Sequence, residues 1–595
     1  MDVAVATTYS LDLTSLVLAP LAMAAYEQAD LSSEEKVDAV ALLEAVRRYA
    51  EKTTVFCQAG AIHVPSSYRR IMAFAEDCIV EVKPRAAGRI FHPKIWVLRF
   101  ASPDGAYSHR LVCLSRNLTG DQSWDTVLQL DEQAEPSGVD TEPLTDFLAD
   151  LPELAAAGRL SSARQEQLAD LRSTLSAVQF EIPPPFTELE FWPLGAKGGR
   201  DWPLPEKASS LFVISPFLDA WCLSRLPGGT APRLLSRSEM FDRVGANALP
   251  SGTEALVMQS SADSHESDAV SSTDLMPDAP PETSLRLEFR TGLHAKTFIW
   301  DDGPYGRIFT GSANATRPAF NGNVEFNVLL AGPRASCGVD AVLDDRSDSP
   351  SIMRLLQRYE PKSMEPTSDA VYQAERDIEF YHASLVAAGV TLSVIEISEH
   401  RYRLEAALPT VKRVGQSTVW PVSLPRDVNA RSTDEDTSWG PIGIGRVTPF
   451  LAVETTIVTG SSSVTRASVL KAELLGDPVG RHRMILREML TNERDIIRYL
   501  AYLLGDPALD SLIKDLHGHA TDDNEPASWR TGPGADDLII FEPLVRAAGR
   551  ADGSLARANR LLAELRDDHG SIPHVSAEFE QLWSVIWAAT EGAAR

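Results

Sequence analysis

Two stretches of this chain hold residue types that chemistry needs. His294, Lys296 and Asp301 read H-x-K-x4-D, Gly311, Ser312 and Asn314 follow as G-S-x-N, and Asn323 and Glu325 close the run as N-x-E. The first half carries a degenerate copy: His92-Pro93-Lys94, then Ser115-Arg116-Asn117, then Trp124-Asp125. A neutral imidazole is a nucleophile, and a protonated one can hand a proton to a leaving oxygen. Lysine supplies a fixed cation and asparagine a hydrogen-bond donor, the groups that stabilise negative charge developing on an oxygen. One H-x-K brings only one histidine, so two copies must meet if one ring attacks while the other donates. The duplication is then part of the mechanism. Period-two alternation of an extended chain places His and Lys of each triplet on one face. A lone H-x-K or S-x-N is ordinary surface or core. Here the ordered set recurs, and both histidine segments run into apolar strands, Ile95-Trp96-Val97-Leu98 and Thr297-Phe298-Ile299-Trp300.

The duplicated pattern resembles the phospholipase D superfamily, the HKD phosphodiesterases, over residues 1–335 and most specifically at the second copy. The resemblance implies an α/β fold in which two phospholipase D-like halves form a pseudo-dimer around one site. It implies a phosphodiesterase that needs no metal or other cofactor and passes through a phosphohistidine. Lys94, Lys296, Asn117 and Asn314 would then hold the phosphoryl oxygens. His92 would attack and His294 act as general acid, although either ring could take either role on sequence alone. Asp125 and Glu325 would hold the imidazole N–H groups, and Ser115 and Ser312 would support phosphate binding or the asparagine turns. The first copy departs from the pattern, because Arg99 stands at the place matching Asp301. The family's motif aspartate is mainly structural, so its loss need not abolish activity. Tyrosyl-DNA phosphodiesterases of the same superfamily also lack it, and their S-N-L…W run is similar to Ser115-Arg116-Asn117-Leu118…Trp124.

The expected substrate is DNA, cut by a nuclease effector that works with other subunits, a helicase among them. The chain resembles large bacterial phospholipase D-like proteins of antiviral defence, which is an analogy of family and not of site. One rival is hydrolysis or transfer of a lipid headgroup. Another is a non-catalytic scaffold or nucleic-acid-binding subunit, against which His92, Lys94 and Asn117 speak by being intact.

At 595 residues the chain is long enough for three or four domains. Five cysteines at 57, 78, 113, 222 and 337 show no C-x-x-C spacing, which argues against a disulfide framework or zinc site and for a reducing compartment. With no basic n-region before the apolar patch near the start, and no apolar run of membrane length, a cytoplasmic protein without a membrane partner is expected. The net charge of −27 argues against a general polyanion binder, so binding to DNA by the chain alone should be weak and salt-sensitive. Residues 64–99 nonetheless hold seven basic residues against three acidic ones. Arg85, Arg89 and Arg99 in that run are the expected substrate-binding rim.

The elements that must position these residues alternate. Strands are expected at 4–10, 53–58 and 78–82, helices at 13–28, 33–50 and 66–76, and motif strands at 94–100 and 110–114. Residues 1–130 form the first half and 131–200 a connector with helices at 142–151 and 161–175 and a strand at 177–182. Residues 201–335 form the second half, with a strand at 211–214 and a mobile acidic loop at 260–284. A helical linker (336–389, helix at 370–389), a β-rich domain (390–475) and an α-helical module (476–595, helices at 481–504 and 555–589) complete the chain. His517-x-His519 with Asp522 and Asp523 is read as a polar loop and not as a metal site.

Overall fold

Val3–Thr8 reads VAVATT, apolar and β-branched without alternation, which suits a strand covered on both faces. All six residues are buried at the centre of the first sheet. In the computed structural model the described residues are 1–28, 39–259, 292–344, 351–362, 367–504, 543–550 and 553–593, apart from single positions 87, 103, 122, 159, 198, 201, 461 and 568. The acidic 260–284 stretch and the His517/His519 pair lie outside them.

The first sheet runs Ile79–Val82, Thr53–Gln58, Val3–Thr8, Ile95–Ala101, Tyr107–Leu114, Val127–Asp131. The first three strands are parallel, and the last three join antiparallel. The second sheet repeats this connectivity with Glu254–Met258, Arg233–Leu235, Leu211–Ile214, Thr297–Asp302, Tyr305–Gly311 and Glu325–Pro333. It gains Glu188–Leu194 at one edge and Leu356–Arg358 at the other. The expected two α/β halves are therefore present, and the second sheet draws strands from before residue 201 and after 335.

One apolar core ties the halves together. Val5, Ile95 and Val97 of the first half join Leu144, Phe147 and Leu171 of the connector helices and Phe191, Phe326 and Val328 of the second half. The connector helices are Glu142–Leu154 and Ser162–Leu175, the latter capped where Ser161 Oγ accepts the Arg164 N–H at 3.4 Å.

Several local expectations shift. Residues 70–78 form a 3-10 helix, buried at six positions, where packing overrides the pitch that propensity favours. Residues 177–182 form no strand, only a bridge from Phe180 to Glu132, with Pro183-Pro184-Pro185 ending the segment. The helix expected at 481–504 breaks into Arg481–Met489 and Glu493–Leu504, because Asn492 Oδ1 accepts the Asp495 N–H at 2.9 Å and restarts it.

Strands between Thr391 and Leu475 make two four-stranded sheets, and the C-terminal helices pack on Leu43, Val46 and Ile71 of the first half. Arg481 seals that contact. Its guanidinium donates to Glu76 Oε2 and Asp477 Oδ1, both at 2.7 Å, with Arg481 and Glu76 almost wholly buried. Removing one partner of a buried pair costs about 3–5 kcal/mol by stranding the other charge. Arg481→Ala should therefore lower the urea midpoint clearly, whereas an unchanged midpoint would show that the pair contributes little.

Candidate active site

Both H-x-K triplets lie in extended lead-ins and not in the strands themselves. They sit where the antiparallel strands begin, beside the carboxyl ends of the parallel ones, the edge at which open α/β sheets bind ligands. The lead-ins are held by the opposite half. The His92 N–H donates to Val324 O at 2.8 Å and the Val324 N–H to Ile90 O at 3.0 Å. Symmetrically, Gly292 and Leu293 pair in parallel with Ser123 and Trp124, and the His294 N–H donates to Trp124 O at 2.9 Å.

The side chains cross in the same way. His92 Nδ1 meets Glu325 Oε2 at 2.8 Å, so the first half's imidazole is held by the second half's carboxylate. His294 Nδ1 meets Asp125 Oδ1 at 2.9 Å, the reverse exchange. Each carboxylate is fixed by the serine of its own half: Ser312 Oγ donates to Glu325 at 2.5 Å, and Ser115 Oγ to Asp125 at 2.8 Å. Each serine also accepts the next backbone N–H, from Phe326 at 3.0 Å and Thr126 at 2.8 Å. Asn323 Nδ2 donates to the other Glu325 oxygen at 3.3 Å. Nδ1–H donation to a carboxylate leaves Nε2 of each ring as the reactive nitrogen.

Gly311 makes the serine turn of the second half possible. Its φ is +145°, and a Cβ there would stand 2.5 Å from Phe326 O and 2.7 Å from Asn327 Cα. Leu114 occupies the matching place in the first half.

Lys94 and Lys296 are almost completely buried. Lys94 Nζ donates to His92 O at 3.0 Å, and Lys296 Nζ to His294 O at 2.7 Å and Ser115 O at 3.2 Å. Burial pushes Lys296 down to about 7, with the Asp125 and Glu325 carboxylates opposing. Lys94 also falls well below the usual lysine range through burial, helped by the charge of Lys296. Burial takes His92 down to about 4 and His294 to about 3, against the pull of their carboxylates, and each ring feels both lysines. The four groups therefore share one electrostatic site. Asp125 is held below the usual carboxylate range: burial opposes ionisation, but hydrogen bonds from His294 and Ser115 outweigh it. The Oδ1 atoms of Asn117 and Asn314 are buried with no protein partner.

The basic run before the first motif does not form the expected rim. Arg99 is a correction: its guanidinium is buried and pairs with Asp2 and Asp170, because its strand position points it into the body of the half. Asp301, at the matching position, pairs with Arg334 at 3.1 Å and accepts the Val339 N–H at 3.0 Å. The same strand site thus carries an ion pair of opposite polarity in each half. Arg85 is a second correction, since it donates to both Asp150 oxygens at 3.1 and 2.9 Å and to Glu153 at 2.7 Å, which neutralises it. Arg89 lies against Gly322, next to Asn323, and so reaches the site's edge.

Groups that sequence reasoning passed over stand closer. The Tyr9 ring is 5.5 Å from the His92 ring and hydrogen-bonded to Glu379 of the helix Thr367–Ala388. Arg237 donates to Leu293 O at 3.1 and 3.0 Å, one residue before His294, and its charge bears on Lys296. Neither carries a motif signal, because the fold brings them in from distant segments. Among the described residues no group of three or more His, Cys, Asp or Glu is placed to hold a metal ion, and no helix is long and apolar enough to cross a membrane.

No family model and no curated protein matches the chain. Among solved structures it is similar to a mutant of yeast tyrosyl-DNA phosphodiesterase, at 10% identity over 56% of this chain and 81% of that one, TM-score 0.29. It is also similar to polyphosphate kinase from Porphyromonas gingivalis, at 11% identity over 64% of this chain, TM-score 0.27. The chain spans about half (49%) of that kinase. Likenesses this distant settle neither family nor activity.

Proposed function

We propose that this chain is a metal-independent phosphodiesterase whose single site is assembled from both halves and whose substrate is nucleic acid, DNA first. The observation that carries the reading is the crossed pairing, in which each imidazole is held by the other half's carboxylate. His92 Nε2 attacks phosphorus and forms the P–N bond while the P–O bond to the leaving group breaks. His294 gives its Nε2 proton to that leaving oxygen. Water then attacks the phosphohistidine, His294 takes a proton from it, the P–N bond breaks, and a phosphomonoester leaves. Glu325 balances the positive charge of the phosphorylated ring. Lys94 and Lys296 in their protonated form, with Asn117 and Asn314, provide charge and hydrogen bonds at the phosphoryl oxygens, which is where such catalysis gains most.

Because the lysines supply the positive charge, hydrolysis of bis(p-nitrophenyl) phosphate should survive EDTA. An absolute need for magnesium or zinc would contradict the reading. The finer assignment is a DNA nuclease effector in a bacterial defence complex. It is supported by the resemblance of the motifs and by the net charge of −27, which leaves part of the DNA affinity to partner subunits. Tight DNA binding by the purified chain at physiological salt would speak against that partnership.

The site also sets a pH dependence. The free enzyme must hold one neutral and one protonated imidazole, and both rings titrate far below neutrality. That mixed state becomes more populated on acidification, and Lys296, near 7, gains its charge in the same direction. On a dinucleotide, kcat/KM should therefore rise as pH falls from about 8 to about 5. A profile that rises toward alkaline pH would exclude this protonation scheme.

A further inference from the structure

The helix Thr367–Ala388 belongs to neither half, yet it meets the site where its Glu379 reaches Tyr9, whose ring is 5.5 Å from that of His92. It is firmly seated. Gly60 has φ +72°, and a Cβ there would lie 2.8 Å from Ala383 N and 2.9 Å from the His382 backbone. His382 is buried and clamped between Thr455 Oγ1 at 2.9 Å and Ser468 Oγ at 2.8 Å. One turn back, Glu379 takes the Tyr9 hydrogen bond beside His92. Nearer the helix start, Tyr372 is 40% exposed and has two guanidiniums near its ring, Arg243 of the second half at 4.1 Å from the ring centre and Arg376 at 5.9 Å. Arg376 also lies 5.2 Å from the Phe380 ring, donates a 3.5 Å hydrogen bond to the Tyr372 hydroxyl, and bears by its charge on Glu379. Arg237 stands at the N-cap of the helix Ser238–Val244 that carries Arg243, and Phe217, 40% exposed, has Arg237 at 5.2 Å from its ring. Arg237 in turn touches the segment that carries His294.

An exposed aromatic ring with a guanidinium against it presents a flat apolar face and a cation side by side, which suits a ligand that is both flat and anionic. Bases stack on such rings regardless of sequence, and guanidiniums take the phosphates between them. A duplex buries its base faces and can use only the cations. We propose that Phe217, Arg237, Arg243, Tyr372 and Arg376 form a track for a single strand of nucleic acid leading to the phosphate site. This deepens the functional reading and rests on it. Glu379 is the anion nearest His92 along this helix, with Glu375 beside Arg376 on the same helix and Glu239 on the helix of Arg243. It would repel a phosphate and accept a hydrogen bond from a base, so the strand should pass it base-first.

The test is equilibrium binding of the full chain to a fluorescein-labelled single-stranded oligodeoxynucleotide, to its duplex, and to phosphatidylglycerol vesicles. Single strand should bind more tightly than duplex. Tyr372→Ala and Arg376→Ala should each weaken it about tenfold, the usual scale for losing one stacked base. Arg376→Ala should also flatten the slope of log affinity against log salt by about 0.7, one released counterion on a single strand. Tyr372→Phe keeps the ring and should bind as the parent does. Equal binding of duplex, unchanged affinity in both alanine variants, or preference for the vesicles would each overturn the track. Parent turnover of bis(p-nitrophenyl) phosphate separates the two ideas. If turnover is present but the variants bind normally, only the track fails. If turnover is absent but the variants bind poorly, the catalytic reading fails and the track stands.

Discussion

His92→Ala and His294→Ala should each lose at least about 10⁴-fold in kcat on a nucleic-acid substrate, and the double variant should be little worse. Groups that act as one unit are strongly non-additive, because the loss of either stops the same reaction. The two losses differ in kind. The His92 variant has no nucleophile, and a better leaving group cannot help it. The His294 variant lacks only the proton donor, so a p-nitrophenyl ester, whose leaving oxygen is stable as an anion, should restore part of its first step. His92→Ala retaining parental activity on every substrate would make the first copy a relic and the shared site wrong.

The crossed carboxylates give the second large effect. Glu325→Gln removes the charge that fixes the His92 tautomer and leaves one oxygen where His92 Nδ1 and Ser312 Oγ had shared a carboxylate, although glutamine keeps the size. In a hydrolytic triad the equivalent carboxylate-to-amide change costs about 10⁴-fold by leaving the ring in the wrong tautomer. A loss of about 10³- to 10⁴-fold is expected here, and the variant should resemble His92→Ala in getting no help from a p-nitrophenyl leaving group. Asp125→Asn, in the first half, should instead resemble His294→Ala and be partly rescued. If each carboxylate variant imitated the histidine of its own half, the exchange seen in the structure would not operate in catalysis.

Much of this site could be read in the sequence because its chemistry is local. His-x-Lys, Ser-x-Asn and the trailing carboxylates are each confined to a few residues, and their repetition by itself implies two halves. The strands at 53–58 and 211–214 were equally legible, being short apolar runs between clear breaks. The exchange of carboxylates between halves was not legible, since it depends on how the lead-ins pair across the interface. Arg85 and Arg99 misled for a related reason. A run of basic residues shows charge but not direction, and Asp150 and Asp170 neutralise these two from the connector helices. Arg237, Tyr372 and Arg376 gave no signal at all, because 135 positions separate the first from the second and only the fold links them, through Arg243 on the helix that Arg237 caps.

The most direct measurement is the covalent intermediate itself. His294→Ala would be mixed with a p-nitrophenyl phosphodiester, quenched within the first turnover and digested under alkaline conditions, in which phosphohistidine survives. Mass spectrometry should find the phosphoryl adduct on the peptide containing His92, and none when His92→Ala is combined with it. An adduct on Ser115 or Ser312, or one that persists without His92, would contradict a site in which the first half's histidine attacks while the second half's carboxylate holds it.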